Sequence, residues 1–358
     1  MKDLELILSA ADVCSHCGAC LPFCEWDAFE RAHPGQRGSA DLCRPCMHCY
    51  RVCPRAHPVT PKAEQTVFGA TRSNDLLGYY VGAWGAKPVI KAAGVQDAGV
   101  TTALVKFLLR EGLIDGAVLT RRNEAWIPEP FVATTEEEVE SAAGSKYTAS
   151  PALSIMATAL ERFSRLAFVG VPCQITALRN MQQVKDKRYD ARRVKILIGL
   201  FCAESFTYGV TNSHGIAAFV EKELGLPLTA VTRFDIKKNN LLVYGPDRVE
   251  SRPLAEVKDY AWPFCYSCRD LTAELADISV GAVGSKADEN ALLARSKLGL
   301  EIVEQAREAG ILQLADLRNP GLIERIAKNK HDRRAAVTPD EERFLFKRSI
   351  RGNFKKNQ

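Results

Sequence analysis

The chain has 358 residues, 46% of them hydrophobic and 25% charged, with a formal net charge of +5. This composition excludes a disordered or fibrous polymer and leaves room for two to three structural units. No apolar run approaches the roughly 18 residues of a membrane span, and the opening MKDLELILSAADVC, with Asp3 and Glu5, makes a poor signal peptide; a cytoplasmic protein is expected, with any place on the cytoplasmic membrane face owed to partner subunits.

The first element is a pair of cysteine runs. Cys14, Cys17, Cys20 and Cys24 are spaced by two, two and three residues, and Cys43, Cys46, Cys49 and Cys53 repeat that spacing before Pro54. Disulfides require an oxidising compartment that nothing here points to. Zinc sites show paired CxxC knuckles rather than a CxxCxxC ladder. The ladder is the bacterial ferredoxin pattern for two [4Fe–4S] clusters, in which the fourth cysteine of each run ligates the other cluster. Cys14, Cys17, Cys20 and Cys53 are assigned to one cluster, and Cys43, Cys46, Cys49 and Cys24 to the second. Glu25 follows Cys24 where the pattern usually has proline, and His16 and His48 are expected at the surface. Residues 1–62 are read as this ferredoxin-like module and 63–80 as a linker.

From residue 81 helix and strand alternate. GVTTALVKFLLREG has Val100, Leu104, Phe107 and Leu108 at helical spacing with Gly112 as a stop. LIDGAVLTR reads as a strand, and TTEEEVESAAG as a helix with Thr135 and Glu138 in capping-box spacing. SPALSIMATALERF and QITALRNMQQ read as helices, RLAFVGVPC and RVKILIGLFC as strands. The alternation predicts an α/β core with a largely parallel sheet. Residues 228–262, with a turn near Asn239-Asn240, predict a small antiparallel insert. The main domain is bounded at 81–310.

Residues 311–358 are read as a basic helical tail. Its last stretch, 328–358, holds ten Lys or Arg against four Asp or Glu, enough to account for the net positive charge. Thr338, Pro339 and Glu341 carry a helix-start signature. A solvated helix and a docking surface for an acidic partner are both open. No basic stripe with interleaved aromatics runs through the body, so nucleic acid is not expected as a partner.

Four cysteines remain. Cys173 and Cys202 end strands, and Cys265 and Cys268 form a CYSC loop bracketed by aromatics. A buried cysteine alone is often a small apolar filler. Two strand-end thiols plus a CxxC complete a third tetrathiolate set, read as a third [4Fe–4S] site, since the carboxyl ends of parallel strands are where sites assemble.

The motifs GVQDAGVTTALVKFLLREGLIDGAV, AAGSKYTASP, FVGVPCQITALRNMQ, IGLFCAESF, CYSCRDLTAELADISVGAVGS and LLARSKLGLEIVEQA, in this order over about 80–305, resemble the β subunit family of coenzyme F420 hydrogenases and dehydrogenases. With the N-terminal cysteine runs, the chain is most similar to the input subunit of the membrane-bound reduced-coenzyme-F420 dehydrogenase of archaea. The resemblance implies an FAD protein that takes hydride from reduced coenzyme F420 and passes single electrons through the clusters to a partner complex or to ferredoxin, as in methanogenesis. It also leaves open a hydrogenase, formate dehydrogenase or other family reductase subunit, or a flavin-free electron carrier. No GxGxxG follows a strand. The resemblance instead places the flavin against KAAGVQDAGVTTALV, with Lys91, Gly94, Gln96, Asp97, Gly99, Val100 and Thr101 at a loop before a helix N-terminus, where free N–H groups favour an anion. It adds Ser145, Lys146, Tyr147 and Thr148, with Lys146 also a candidate for the coenzyme's anionic tail; Pro172 and Gln174 beside Cys173; and Asp277, Ser279, Gly281 and Gly284. Where many relatives have Gln-Asp-Gly-Gly this chain has Ala98, whose methyl is expected to narrow the approach to the cofactor. No catalytic side chain is named, because hydride transfer requires no acid–base residue.

Overall fold

The computed structural model describes residues 14–22, 24, 46–186, 188–208 and 215–332. Cys43 and the helix expected from Thr338 lie outside the described residues.

Period-two burial along the strands builds two cores on the two faces of one sheet. In β4 (Leu166–Gly170), Leu166 and Phe168 face one core and Ala167 the other. In β5 (Val194–Leu200) the pairing slips by one residue beside Lys195. That irregularity lets Val194 face the first core while Ile196 and Ile198 face the second. The first core is closed by helices Met156–Arg162 and Pro172–Gln183, and by Cys17, Ala19 and Val52 from the N-terminal segment. The second is closed by Val100–Arg110 and Lys297–Glu308. The first of these helices buries Val100, Leu104, Val105, Phe107 and Leu108 on one stripe.

The eight-stranded sheet has the order β11-β1-β10-β9-β5-β4-β2-β3, with β1 Gly82–Pro88, β2 Gly116–Arg122, β3 Pro128–Ala133, β9 Ile278–Gly281, β10 Asn290–Ala294 and β11 Leu312–Asp316. Only the central strands β2, β4, β5 and β9 pair in parallel. All outer pairings are antiparallel. The sheet is therefore mixed rather than largely parallel. The reason is local: short connections after β2 and after β9 add antiparallel neighbours, and β1 lies between β10 and β11, antiparallel to both.

A second sheet, β6 (Arg233–Lys237), β7 (Asn240–Tyr244) and β8 (Val249–Pro253), forms the expected antiparallel insert. Lys238 and Asn239 both have positive φ, as a two-residue hairpin turn requires. The insert shares a core of Phe206, Val220, Phe234, Leu241 and Val257 with Trp126 from the β2–β3 turn.

Two boundaries differ from expectation. Residues 63–80 are not a bare linker: helix Pro61–Phe68 is capped by Thr60, and its Glu64 is fully buried. Residues 311–332 are not a tail. β11 is an edge strand of the main sheet, and helix Pro320–Asp332 buries Ile323, Ala327 and Lys330. The apolar residues of that helix occupy one narrow face, which leaves a weak sequence signal.

Candidate functional site

The late cysteines come together where the parallel strands end. Cys173 is the second residue of helix Pro172–Gln183, directly after β4, so the helix begins earlier than its sequence pattern indicates. Cys202 lies two residues beyond β5. The segment bearing Cys265 and Cys268 runs beside it, with Cys202 N donating to Leu271 O at 2.8 Å and Trp262 N to Ser205 O at 2.9 Å. Ser205 N donates to Cys265 Sγ at 3.3 Å. Burial raises the pKa of Cys173 well above the usual thiol range, and Cys17, Cys268, Cys202 and Cys265 add to the shift in that order. Cys265 is raised by burial and by Cys202 and Cys268. The four thiols are thus within electrostatic reach of one another.

The first N-terminal set gathers in the same way. The thiol of Cys20 is raised by burial and then by Cys17, Cys14, Cys49 and Cys53. Cys17 is pushed up to about 11, chiefly by burial. His16 N donates to Cys14 Sγ at 3.4 Å. The second set is described only in part, because Cys43 lies outside the described residues; Cys24, Cys46 and Cys49 are within them. No disulfide joins any two of the described cysteines. Among the described residues no three His, Cys, Asp or Glu side chains converge tightly enough to hold a single metal ion.

The N-terminal segment is docked so that Cys17 faces Cys173. Leu153 N donates to Cys17 O at 3.0 Å, and Asn180 Nδ2 to His57 O at 3.0 Å. His16 is half-buried, and its ring lies 4.2 Å from that of Trp262. Arg55 donates to Ser267 Oγ at 2.6 Å. Gly18 has φ +83°, and a Cβ there would stand 2.7 Å from Ser154 N and 2.8 Å from Pro151 O.

Behind the third set lies a buried charge layer that the sequence did not reveal. Lys330 is 4% exposed, and its Nζ is 2.6 Å from both Cys202 O and Asp270 O. Burial opposes its positive charge, but Cys268, Cys202, Asp270 and Cys265 outweigh that and raise its pKa. Arg295 is fully buried and donates to Ser279 Oγ, Thr272 Oγ1 and the carbonyls of Leu77 and Tyr79. Arg72 joins Glu64 to Glu274, whose pKa burial and then Asp270 push up to about 8.

A pocket opens between the main sheet and the insert. It is narrow, partly open to solvent, and is lined by Trp126, Lys146, Tyr147, Thr148, Tyr208 and Phe234 among others. Gln96 braces it: its Nε2 reaches Tyr147 Oη at 3.1 Å and Asp235 Oδ1 at 2.8 Å, and its Oε1 accepts from Ser145 N at 3.0 Å. Lys237 pairs with Asp235 at 2.8 Å and Asp97 at 3.8 Å. Burial, then Asp235, raises the Asp97 carboxyl, with Lys237 and Lys91 opposing. Lys146 caps the carbonyls of Ala142, Ala143 and Gly144. Burial and then Arg122 lower it to about 8. Gly94 and Gly144 adjoin at the same loop crossing. Asp235, Lys237, Trp126, Tyr208 and Phe234 were missed by sequence reasoning, because the insert carries no motif.

Other expected cofactor contacts serve the fold. Val100 is fully buried and its N–H donates to Asn290 Oδ1 at 3.3 Å, so this donor is already used; Thr101 follows, half-buried, in the first turn. Pro172 is the first residue of its helix, and Gln174 links Ser150 O to Val171 N. Asp277 accepts from Leu197 N and Ser296 Oγ and pairs with Arg179. Ser279 is fully buried against Arg295, while a Cβ at Gly281 or Gly284 would strike Phe201 or Ile323. Asp277 and Ser279 are thus engaged in interior hydrogen bonds, and Gly281 and Gly284 in close packing. The Ala98 methyl likewise points into the second core, so it does not narrow the pocket.

The sequence matches the family models for coenzyme F420 hydrogenase/dehydrogenase beta subunit, N-term over residues 80–157 and C terminus over 163–320. It is 36% identical over 246 residues to a coenzyme F420 hydrogenase subunit beta of Methanothermobacter thermautotrophicus, covering 66% of this chain and 86% of that one. It is 32% identical over 324 residues to a subunit of the F(420)H(2) dehydrogenase of Methanosarcina mazei, covering 87% and 86%. The fold superposes with TM-score 0.68 and 32% identity on a chain of the F420-reducing [NiFe] hydrogenase complex of Methanosarcina barkeri, over 73% of this chain and 91% of that one. The chain belongs to the coenzyme F420 hydrogenase/dehydrogenase beta subunit family.

Proposed function

We propose that the chain is an FAD- and iron–sulfur-containing oxidoreductase that oxidises reduced coenzyme F420 and delivers the electrons through three [4Fe–4S] clusters to a partner protein. The observation that carries this reading is the meeting of Cys173, Cys202, Cys265 and Cys268 beside Cys17. Crowded, buried thiols hold their protons unless a metal takes them. Cys173, Cys202, Cys265 and Cys268 would hold one cluster; Cys14, Cys17, Cys20 and Cys53 a second; Cys24, Cys43, Cys46 and Cys49 a third.

FAD, when bound, supplies the exchange between two-electron hydride chemistry and one-electron cluster chemistry. The chain's own part is to bind and orient. Tyr147 and Tyr208 line the pocket beside Trp126 and Phe234, which pack edge to face on each other, and Lys146 with Arg122 offers positive charge to an anionic arm, a feature common to FAD and coenzyme F420. Gln96 fixes Tyr147 against Asp235 and so ties the insert to the main sheet. The Methanosarcina barkeri relative belongs to a hydrogenase complex, which favours partner subunits here, such as those of a membrane-bound dehydrogenase, or ferredoxin. No helix of the described residues is long and apolar enough to cross a membrane.

The test is an anaerobic iron, sulfide and flavin assay on the reconstituted full chain, followed by deazaflavin absorbance with an artificial acceptor. About twelve irons, bound FAD and oxidation of reduced coenzyme F420 are expected. No oxidation with flavin and clusters in place would sink the reading, and clusters without flavin would make the chain a plain electron carrier.

A further inference from the structure

Lys330 is an expensive residue to bury, and its position is specific. It comes from helix Pro320–Asp332, beyond the last strand, yet its Nζ ends between two carbonyls of the cysteine loops. One is the carbonyl of Cys202 itself; the other, Asp270 O, lies two residues after Cys268. Both contacts are 2.6 Å. Carbonyl oxygens can only accept, so this cage solvates an ammonium and would do little for an apolar chain. Two of its three N–H groups are spent on the loops that carry the cysteines.

Four thiolates and an inorganic cube carry net negative charge, and each added electron increases it. In a low-dielectric interior a fixed cation at that distance favours the reduced state, and charge near a cluster is one of the levers that set its potential. In the same layer Arg72 pairs with the carboxyls of Glu64 and Glu274. Lys330 is the cation of this layer that touches both cysteine loops.

We propose that Lys330 is the built-in counter-charge of the site formed by Cys173, Cys202, Cys265 and Cys268, and that it holds the reduction potential of the cluster there above what a neutral side chain would allow. The inference rests on the cluster reading above.

The experiment compares the anaerobic full chain with Lys330→Gln, Lys330→Met and Lys330→Arg by redox-poised EPR and iron count. A wild type with about eight irons, lacking this cluster, would overturn the cluster reading and this inference with it. With the cluster present, Lys330→Gln is expected to lower its reduced-to-oxidised ratio at least tenfold at fixed potential, about 59 mV for one electron. Lys330→Arg is expected to keep the wild-type value, and the N-terminal clusters to stay unmoved. Loss of the cluster in Gln and Met variants but not in Arg also supports the counter-charge. An unchanged potential in Lys330→Gln, or loss of the cluster in all three variants, overturns it.

Discussion

The Arg55 guanidinium sits 2.6 Å from the Ser267 hydroxyl, joining the segment that follows Cys53 to the loop between Cys265 and Cys268. It also reaches Ser267 O. One side chain thus fixes two thiol sets relative to each other. A hydrogen bond from a charged donor contributes about 1.5–3 kcal/mol. Arg55→Met is expected to slow electron arrival at the N-terminal clusters while flavin reduction by reduced coenzyme F420 keeps its rate. Rapid-mixing absorbance separates the two phases, and equal slowing of both would contradict the assignment.

Gly18 permits the docking itself. Its left-handed backbone and the absent Cβ let the turn lie against Pro151 and Ser154. Gly18→Ala combines strain of order 1–3 kcal/mol with a clash against backbone that cannot rotate away. The N-terminal segment should become markedly more sensitive to protease, with the α/β domain still folded by circular dichroism. Unchanged cleavage kinetics would show that the turn can shift.

In the proposed relay, Cys265→Ala and Cys268→Ala each remove a ligand from the same set. Either variant should lose about four irons of about twelve and retain the signals of the other two clusters. Loss of all iron would mean that the sets assemble as one unit rather than separately.

Lys146 gives the pocket a pH dependence. With its pKa lowered to about 8 by burial and Arg122, the ammonium is present below that pH and lost above it. Anionic ligands prefer the charged form, so apparent affinity for coenzyme F420 should fall as pH rises through about 8. Lys146→Arg should keep affinity flat across that range. A wild-type profile without a break near there would remove Lys146 from ligand binding.

Asp235 is 2% exposed and holds both Gln96 and Lys237. Asp235→Asn keeps the volume and removes the charge. Losing one charge-assisted hydrogen bond, about 1.5 kcal/mol, corresponds to a roughly tenfold higher KM for the coenzyme, with iron content unchanged. A KM within twofold of wild type would show that the insert does not position the pocket.

The thiol ladders of residues 14–53, the capped helix at Thr135, the helix from Val100 and the hairpin near Asn239 could all be read from the chain, because each depends on spacing within a dozen residues. The late cysteines could be suspected together for a similar reason: each lies near a strand end or in a CxxC. Contacts across long separations were not legible. Asp277, Ser279, Gly281 and Gly284 look like a ligand loop in sequence, yet each also meets a distant partner in packing: Arg179, Arg295, Phe201 and Ile323. Lys330 looks like one more solvated lysine in a basic stretch until helix Pro320–Asp332 folds back and buries it between Cys202 and Asp270. Local pattern therefore determined which residues could bind metal; only the tertiary fold decided which thiols face one another and where the compensating charge lies, since burial and electrostatic coupling depend on neighbours that the chain order keeps far apart.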